Sequence, residues 1–155
     1  MFVYRVVQSR ARAGDLSGNG AFKVGGRWNN PGTYVLYCAE NSSLAMLENI
    51  VHFEAGNSPP HLFIIKLEVD DAAPIFTLPD ADYPPDWLRP DLVENKIIGD
   101  QIINGGLSIG FRVRSAVNPG EYNVLLSPAF PDYAKLVKVV EVTDIKTDVR
   151  LVKAR

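Results

Sequence analysis

The stretch "GAFKVGGRWNNPGTYVLYCAENSSLAMLENIVH", residues 20–52, decides how this chain is read. Two glycines and an Arg-Trp pair lead through an Asn29-Asn30-Pro31-Gly32 turn into a strand candidate, YVLYCA at 34–39. Asn41-Ser42-Ser43 then opens a helix expected over 43–55 and stopped by Gly56. Leu44, Leu47 and Val51 fall at the spacing of a buried helical stripe, and Glu48 falls on the same stripe. Met46 and Ile50 make the other side apolar too, which deepens the burial. Removing a carboxylate from water costs on the order of several kcal/mol unless a partner offsets it. Glu48 must therefore have such a partner or face a cleft.

Outward from this stretch, β-branched and aromatic runs predict strands at 2–7, 61–69, 111–117, 122–127 and 135–142. A second helix is expected at 92–104, closed by Gly105-Gly106. Strands predominate, with two helices inserted among them. That pattern predicts an α+β domain with a mainly antiparallel, twisted sheet and helices covering one side. No repeat or low-complexity tract interrupts it, and residues 1–155 read as one domain. The proline-rich "LPDADYPPDWLRPD" at 78–91 reads as a long surface loop held to the body by Tyr83 and Trp87.

Composition narrows the function classes. With 46% hydrophobic and 22% charged residues the chain is an ordinary globular sequence. Its net charge of −2 and pI near 5.7 give no general reason for binding nucleic acid or an anionic membrane, though a local basic pocket stays open. A single cysteine, Cys38, excludes an intramolecular disulfide framework. The opening "MFVYRVVQSRARAGD" is too short in apolar residues for a signal peptide or membrane span, so a cytoplasmic location is expected. The glycosylation match at Asn41-Ser42-Ser43 is then accidental.

Three further polar residues interrupt apolar rows. Alternation places Arg5 between Val3 and Val7, and Ser115 in line with Phe111, Val113 and Val117. Arg27 follows two glycines that let the backbone approach a ligand, with Trp28 beside it as a stacking surface. Each residue also has a bland reading. A buried serine usually bonds a carbonyl, a strand-edge arginine snorkels to water, Glu48 pairs with Arg5 or Arg27, and the glycine loop is a tight turn. Their co-occurrence favours a site.

Taken in order, Tyr4-Arg5, GxGAxxxGGRWN at 18–29, VLYCAxNxxLAxLE at 35–48, RSA at 114–116 and YNVLLSPAFPDY at 122–133 resemble the RES-domain family. This family of bacterial toxins from toxin–antitoxin pairs is named for its arginine, glutamate and serine. The resemblance covers about residues 4–138, and its GGRWN and A-x-LE blocks are the more specific ones. Two departures stand out. Arg114 precedes the serine where the family often has proline, and Ser127 and Phe130 stand where asparagine and histidine are expected.

The resemblance implies a core similar to ADP-ribosyltransferases, with a split sheet, and an enzyme acting on NAD⁺ as substrate. Neither a prosthetic group nor a metal is implied. It carries the named triad onto Arg27, Glu48 and Ser115, with Arg5, Tyr37, Trp28 and Asn123 as substrate-binding residues. The implied reaction cleaves the nicotinamide–ribose bond by hydrolysis or phosphorolysis. The alternatives are ADP-ribosylation of a cellular protein and a non-catalytic nucleotide- or partner-binding domain. The implied partner is a cognate Xre-type antitoxin, without direct nucleic-acid or membrane binding, and a homodimer fits the family.

Overall fold

The computed structural model describes residues 1–54 and 56–151, so the last residue of the helix expected at 43–55 and the last four of the 1–155 domain lie outside the described residues. Among the described residues seven strands and four α-helices follow one another as β1 (Phe2–Val7), α1 (Asn19–Val24), β2 (Leu36–Ala39), α2 (Ser42–Ile50), β3 (His61–Val69), β4 (Ile75–Thr77), α3 (Val93–Gly105), β5 (Gly110–Arg114), β6 (Tyr122–Leu126), α4 (Tyr133–Leu136) and β7 (Val137–Lys146). The class is α+β, as expected.

The strands form one sheet in the order β4-β5-β6-β2-β1-β3-β7, antiparallel except for the β4–β5 pair. Pairing is uneven along it. β1 runs beside β3 without a break from Phe2–Glu68 to Val7–Phe63, and β2 beside β6 from Leu36–Leu126 to Ala39–Asn123. β1 and β2 meet only where Tyr4 faces Ala39. The sheet therefore parts into two halves beyond that position, and the gap opens beside the GGRWN segment.

Two apolar clusters cover opposite faces of this sheet. Val3, Cys38, Ile65, Leu67, Val124 and Leu126 belong to the larger one. The other joins Trp28, Phe111, Val113, Leu125 and Ile103, with Tyr83 and Trp87 packed against it from the proline-rich loop. That loop is thus seated on the body through its aromatic rings. Helix α3 comes so close that a Cβ on Gly99 would lie 1.7 Å from the Trp28 carbonyl oxygen.

Helix α2 begins where Asn41 caps it, its side-chain oxygen accepting from the Leu44 amide at 2.8 Å. Its buried residues are Leu44 and Ala45, which pack on Ala39, Tyr4 and Val6. The expected stripe needs correcting: Leu47 and Val51 are exposed, because the small Ala45 lets the helix turn its 44/45/48 side toward the sheet. Glu48 stays on the sheet side. Among the described residues no helix is long and apolar enough to cross a membrane.

Candidate active site

A cleft of about 650 Å³ runs along the parting of β1 and β2. Its size is that of a small-ligand site, a range of roughly 300–1,000 Å³. Arg5, Arg12, Arg27, Lys96 and Arg114 line it against the carboxylates of Asp15, Glu48 and Asp91, so the cleft has an excess of cations although the chain does not. This is a local basic pocket in an acidic protein.

Glu48 reaches it from α2. Its Oε1 accepts from the Ser115 hydroxyl at 2.7 Å and from the Asn123 side-chain amide at 2.6 Å. Both donors come from the far half of the sheet, Asn123 from β6 and Ser115 from just past β5. Among the described residues Oε2 makes no hydrogen bond and no cation lies within ion-pair distance of the carboxylate. The alternative of a structural pair with Arg5 or Arg27 is therefore not the arrangement found. One oxygen is clamped and the other is left for a ligand.

Ser115 is fully buried, so it contacts Glu48 and not the contents of the cleft. Its Oγ also accepts from the Val117 and Asn118 amides at 3.1 and 3.0 Å, which folds the turn leading to β6. The serine fixes the glutamate. Asn123 shares that task and lines the cleft as well.

Arg27 is held by the proline-rich loop. Its Nη1 donates to the carbonyls of Trp87, Leu88 and Arg89 at 3.4, 2.8 and 2.9 Å. Nε and Nη2 make no hydrogen bond among the described residues, which leaves one edge of the guanidinium available for a bidentate anion. The loop beneath it is fixed by Asn29, a fully buried residue whose amide donates to the carbonyls of Ala21, Asn30 and Thr33. Gly25 takes a positive φ of 76° at the start of this turn, a conformation that favours glycine.

Tyr37 closes the network. Its hydroxyl donates to the Asn29 side-chain oxygen at 2.8 Å and accepts from the Trp28 amide at 3.1 Å. Burial raises its pKa well above the ordinary phenol value, so it remains a neutral donor. A Cβ on Gly26 would meet this hydroxyl at 2.6 Å, which explains a glycine there. Asp100 of α3 accepts from both the main-chain and side-chain amides of Asn30, the latter at 2.8 Å.

Trp28 lines the cleft, but the residue is only 2% exposed and its indole is set edge-on to Phe111 and Tyr83, so most of the ring packs into the core. Arg5 lines the cleft, but one of its guanidinium nitrogens bonds the Asp15 carbonyl oxygen of the neighbouring loop. Cys38 behind it has its thiol pushed up to about 12 by burial, which removes it as a nucleophile. Of the residues that depart from the family pattern, Arg114 grips Asp80 through two bonds of 2.9 and 3.0 Å. Ser127 is buried, and Phe130 packs in the larger core beside it. Neither of those two lines the cleft.

The structure thus brings Glu48, Ser115 and Asn123 into one contact set and Tyr37 and Trp28 into another, with Arg27 next to Trp28 on the lining of the same cleft. Asn29, Asp100 and Lys96 were not singled out from the sequence. Asn29 carried a signal, since an asparagine between a buried tryptophan and a turn is a ready cross-linker of loop carbonyls. The two α3 residues look like any polar helix face. Among the described residues no group of three His, Cys, Asp or Glu is placed to hold a metal ion.

Comparison with known proteins finds relatives along nearly the whole chain. A family model described as the RES domain matches residues 2–150. The chain is 32% identical over 152 residues to Toxin Res of Yersinia enterocolitica, covering 97% of this chain and 99% of that one. It is 36% identical over 160 residues to Toxin Res of Photorhabdus laumondii, covering 100% and 99%. To the Prs ADP-ribosylating toxin of Sphingobium sp. it is 34% identical over 146 residues, covering 91% and 89%. A chain of the M. tuberculosis MbcT-MbcA toxin-antitoxin complex shares the fold, with a TM-score of 0.67 at 19% identity over 94% of this chain and 84% of that one. Matched from β1 to beyond β7 by the family model and end to end by such relatives, the chain belongs to the RES domain family.

Proposed function

We propose that this protein is the toxin of a toxin–antitoxin pair and that it consumes NAD⁺ by breaking the nicotinamide–ribose bond. The observation that carries the reading is Glu48, anchored through Oε1 by Ser115 and Asn123 with Oε2 left uncommitted in a cation-lined cleft. When the C1′–N bond breaks, its electron pair returns to the nicotinamide ring and positive charge develops on the ribose. A carboxylate held in place before that charge appears stabilises it without reorganisation. Water or phosphate then adds at C1′, and a proton leaves the acceptor.

Arg27 presents its free edge to the diphosphate of the dinucleotide, with Arg5 as a second cation on the β1 side. Tyr37 and Asn29 hold the Arg27 turn, and Ser115 and Asn123 hold Glu48; these four are positioning residues in this reading. The split sheet, similar to that of ADP-ribosyltransferases, supports an ADP-ribosyl donor. The names of the relatives support the toxin role, and the complex in which the fold recurs supports an antitoxin partner.

A second reading, transfer of ADP-ribose to a protein, is favoured by the relative called an ADP-ribosylating toxin. Both readings place Glu48 at the bond that breaks. The test is NAD⁺ loss and nicotinamide release by the purified protein, wild type against Glu48→Ala, with and without phosphate and with cell extract as acceptor. Loss that depends on Glu48 supports the enzyme, a phosphate requirement identifies the acceptor, and label appearing on protein selects the second reading. No nicotinamide release under any of these conditions overturns both and leaves a binding domain.

A further inference from the structure

We infer that Lys96 is an anion-binding residue of the cleft and forms with Arg27 a two-cation clamp for a diphosphate. The inference rests on the proposed use of a dinucleotide for its choice of ligand, though the clamp itself is argued from geometry. Lys96 sits in the first turns of α3 and lines the cleft, with its side chain only 19% exposed. Most of this side chain is covered, and its ammonium carries three N–H donors to be matched by acceptors in the cleft.

The protein supplies almost none. Among the described residues Lys96 makes no hydrogen bond, and its one ion-pair contact is Asp91 at 3.9 Å, beyond hydrogen-bond reach, to a side chain 93% exposed. The usual helical partner would be the carboxylate four residues on. That residue is Asp100, which is engaged with the Asn30 main-chain and side-chain amides and lies outside ion-pair distance of Lys96.

The other cleft cations are differently committed. Arg114 is neutralised by the bidentate grip of Asp80. Arg5 bonds the Asp15 carbonyl. Arg12 is exposed. Lys96 and Arg27 alone flank one segment, residues 87–91: Arg27 bonds the carbonyls at 87–89, and Lys96 approaches Asp91 at its end. Two cations of one cleft that meet the same short loop, each with free donors, suit a ligand carrying two linked phosphates. The loop's own carboxylate, Asp91, occupies that place weakly and is displaceable.

The same chemistry could serve free phosphate as acceptor, so the test separates the two sources. Inorganic pyrophosphate binding is measured by calorimetry for wild type, Lys96→Met, Lys96→Arg and Asp91→Asn, alongside NAD⁺ kinetics over a phosphate series. Loss of one charge-assisted contact predicts about tenfold weaker pyrophosphate binding in Lys96→Met, with the KM for NAD⁺ rising by a similar factor and kcat retained. Lys96→Arg restores most of the affinity, and Asp91→Asn tightens pyrophosphate binding because a competing carboxylate is gone.

Pyrophosphate that binds wild type and Lys96→Met equally, or fails to bind wild type, overturns the clamp. A shift confined to the phosphate dependence assigns Lys96 to free phosphate and overturns the diphosphate assignment. Lys96-dependent pyrophosphate binding in a protein that leaves NAD⁺ intact would sink the proposed reaction while upholding the clamp.

Discussion

Ser115→Ala removes one oxygen that serves three partners, and the consequences for fold and site differ enough to be measured separately. The lost hydrogen bond to Glu48, 2.7 Å long and made to a charged group, contributes about 1.5–3 kcal/mol. The Val117 and Asn118 amides also lose their acceptor, but both residues are exposed and water replaces the serine there, so the total stays near 3 kcal/mol. For a chain of 155 residues that corresponds to a fall in Tm of roughly 6 to 12 °C.

Asn123→Ala removes a single bond of 2.6 Å from a half-buried side chain and is expected to cost about half as much. In both variants the Glu48 side chain is present but loses part of its clamp, and misplacement of a catalytic group costs on the order of tenfold to a hundredfold in turnover. Urea and thermal unfolding give the stability difference, and nicotinamide release at a temperature well below both transitions gives the rate. A Ser115→Ala protein with an unchanged Tm, or with full turnover once folded, would refute the reasoning that this serine acts through Glu48.

Two further outcomes follow from the same structure. Gly99→Ala gains about 1 kcal/mol of helix propensity but forces a methyl to 1.7 Å from the Trp28 carbonyl. The clash, about 1–3 kcal/mol, wins: unfolding shifts to lower urea, and NAD⁺ turnover falls because the Arg27 turn is displaced. The Asp80 carboxyl is held below its ordinary value by its bonds to Arg114, so its contribution to stability is present above that ordinary value and lost as pH falls through the lowered one. Stability measured against pH therefore separates wild type from Asp80→Asn above about pH 5, and the two curves converge in acid; parallel curves would contradict the clasp.

Much of this fold is legible in the residues because its longer strands alternate and its helices carry end signals. β1 and β3 coincide with the expected 2–7 and 61–69, and α3 is displaced by one residue from 92–104. β4 was not foreseen, since a three-residue strand in parallel pairing has too few positions to show a period. α1 lies in a glycine-rich run and buries none of its residues, so no apolar stripe marks it. β7 runs on to Lys146 through polar residues because its exposed side needs no apolar alternation.

At the site, the misfit of Glu48 on an apolar helix face pointed correctly to a cleft, while the reason given for it was only half right. Leu44 makes the buried face but Leu47 and Val51 do not, and Ala45 does, a residue too small to stand out in the sequence. The direction of the Trp28 ring depends on Tyr83 and Trp87, which arrive from a distant loop, so local sequence could not reveal it. Lys96 and Asp100 were invisible for the opposite reason. Their spacing is that of an ordinary helical ion pair, and only the tertiary contact of Asp100 with Asn30 shows that the pair is not made.

Glu48→Gln tests the central claim most directly, for it keeps an oxygen that Ser115 and Asn123 can bond and removes only the charge. Nicotinamide release should fall at least a hundredfold in this variant, with Tm within a few degrees of wild type and pyrophosphate still bound. A folded Glu48→Gln protein that released nicotinamide at the wild-type rate would contradict the assignment of that carboxylate to the breaking bond.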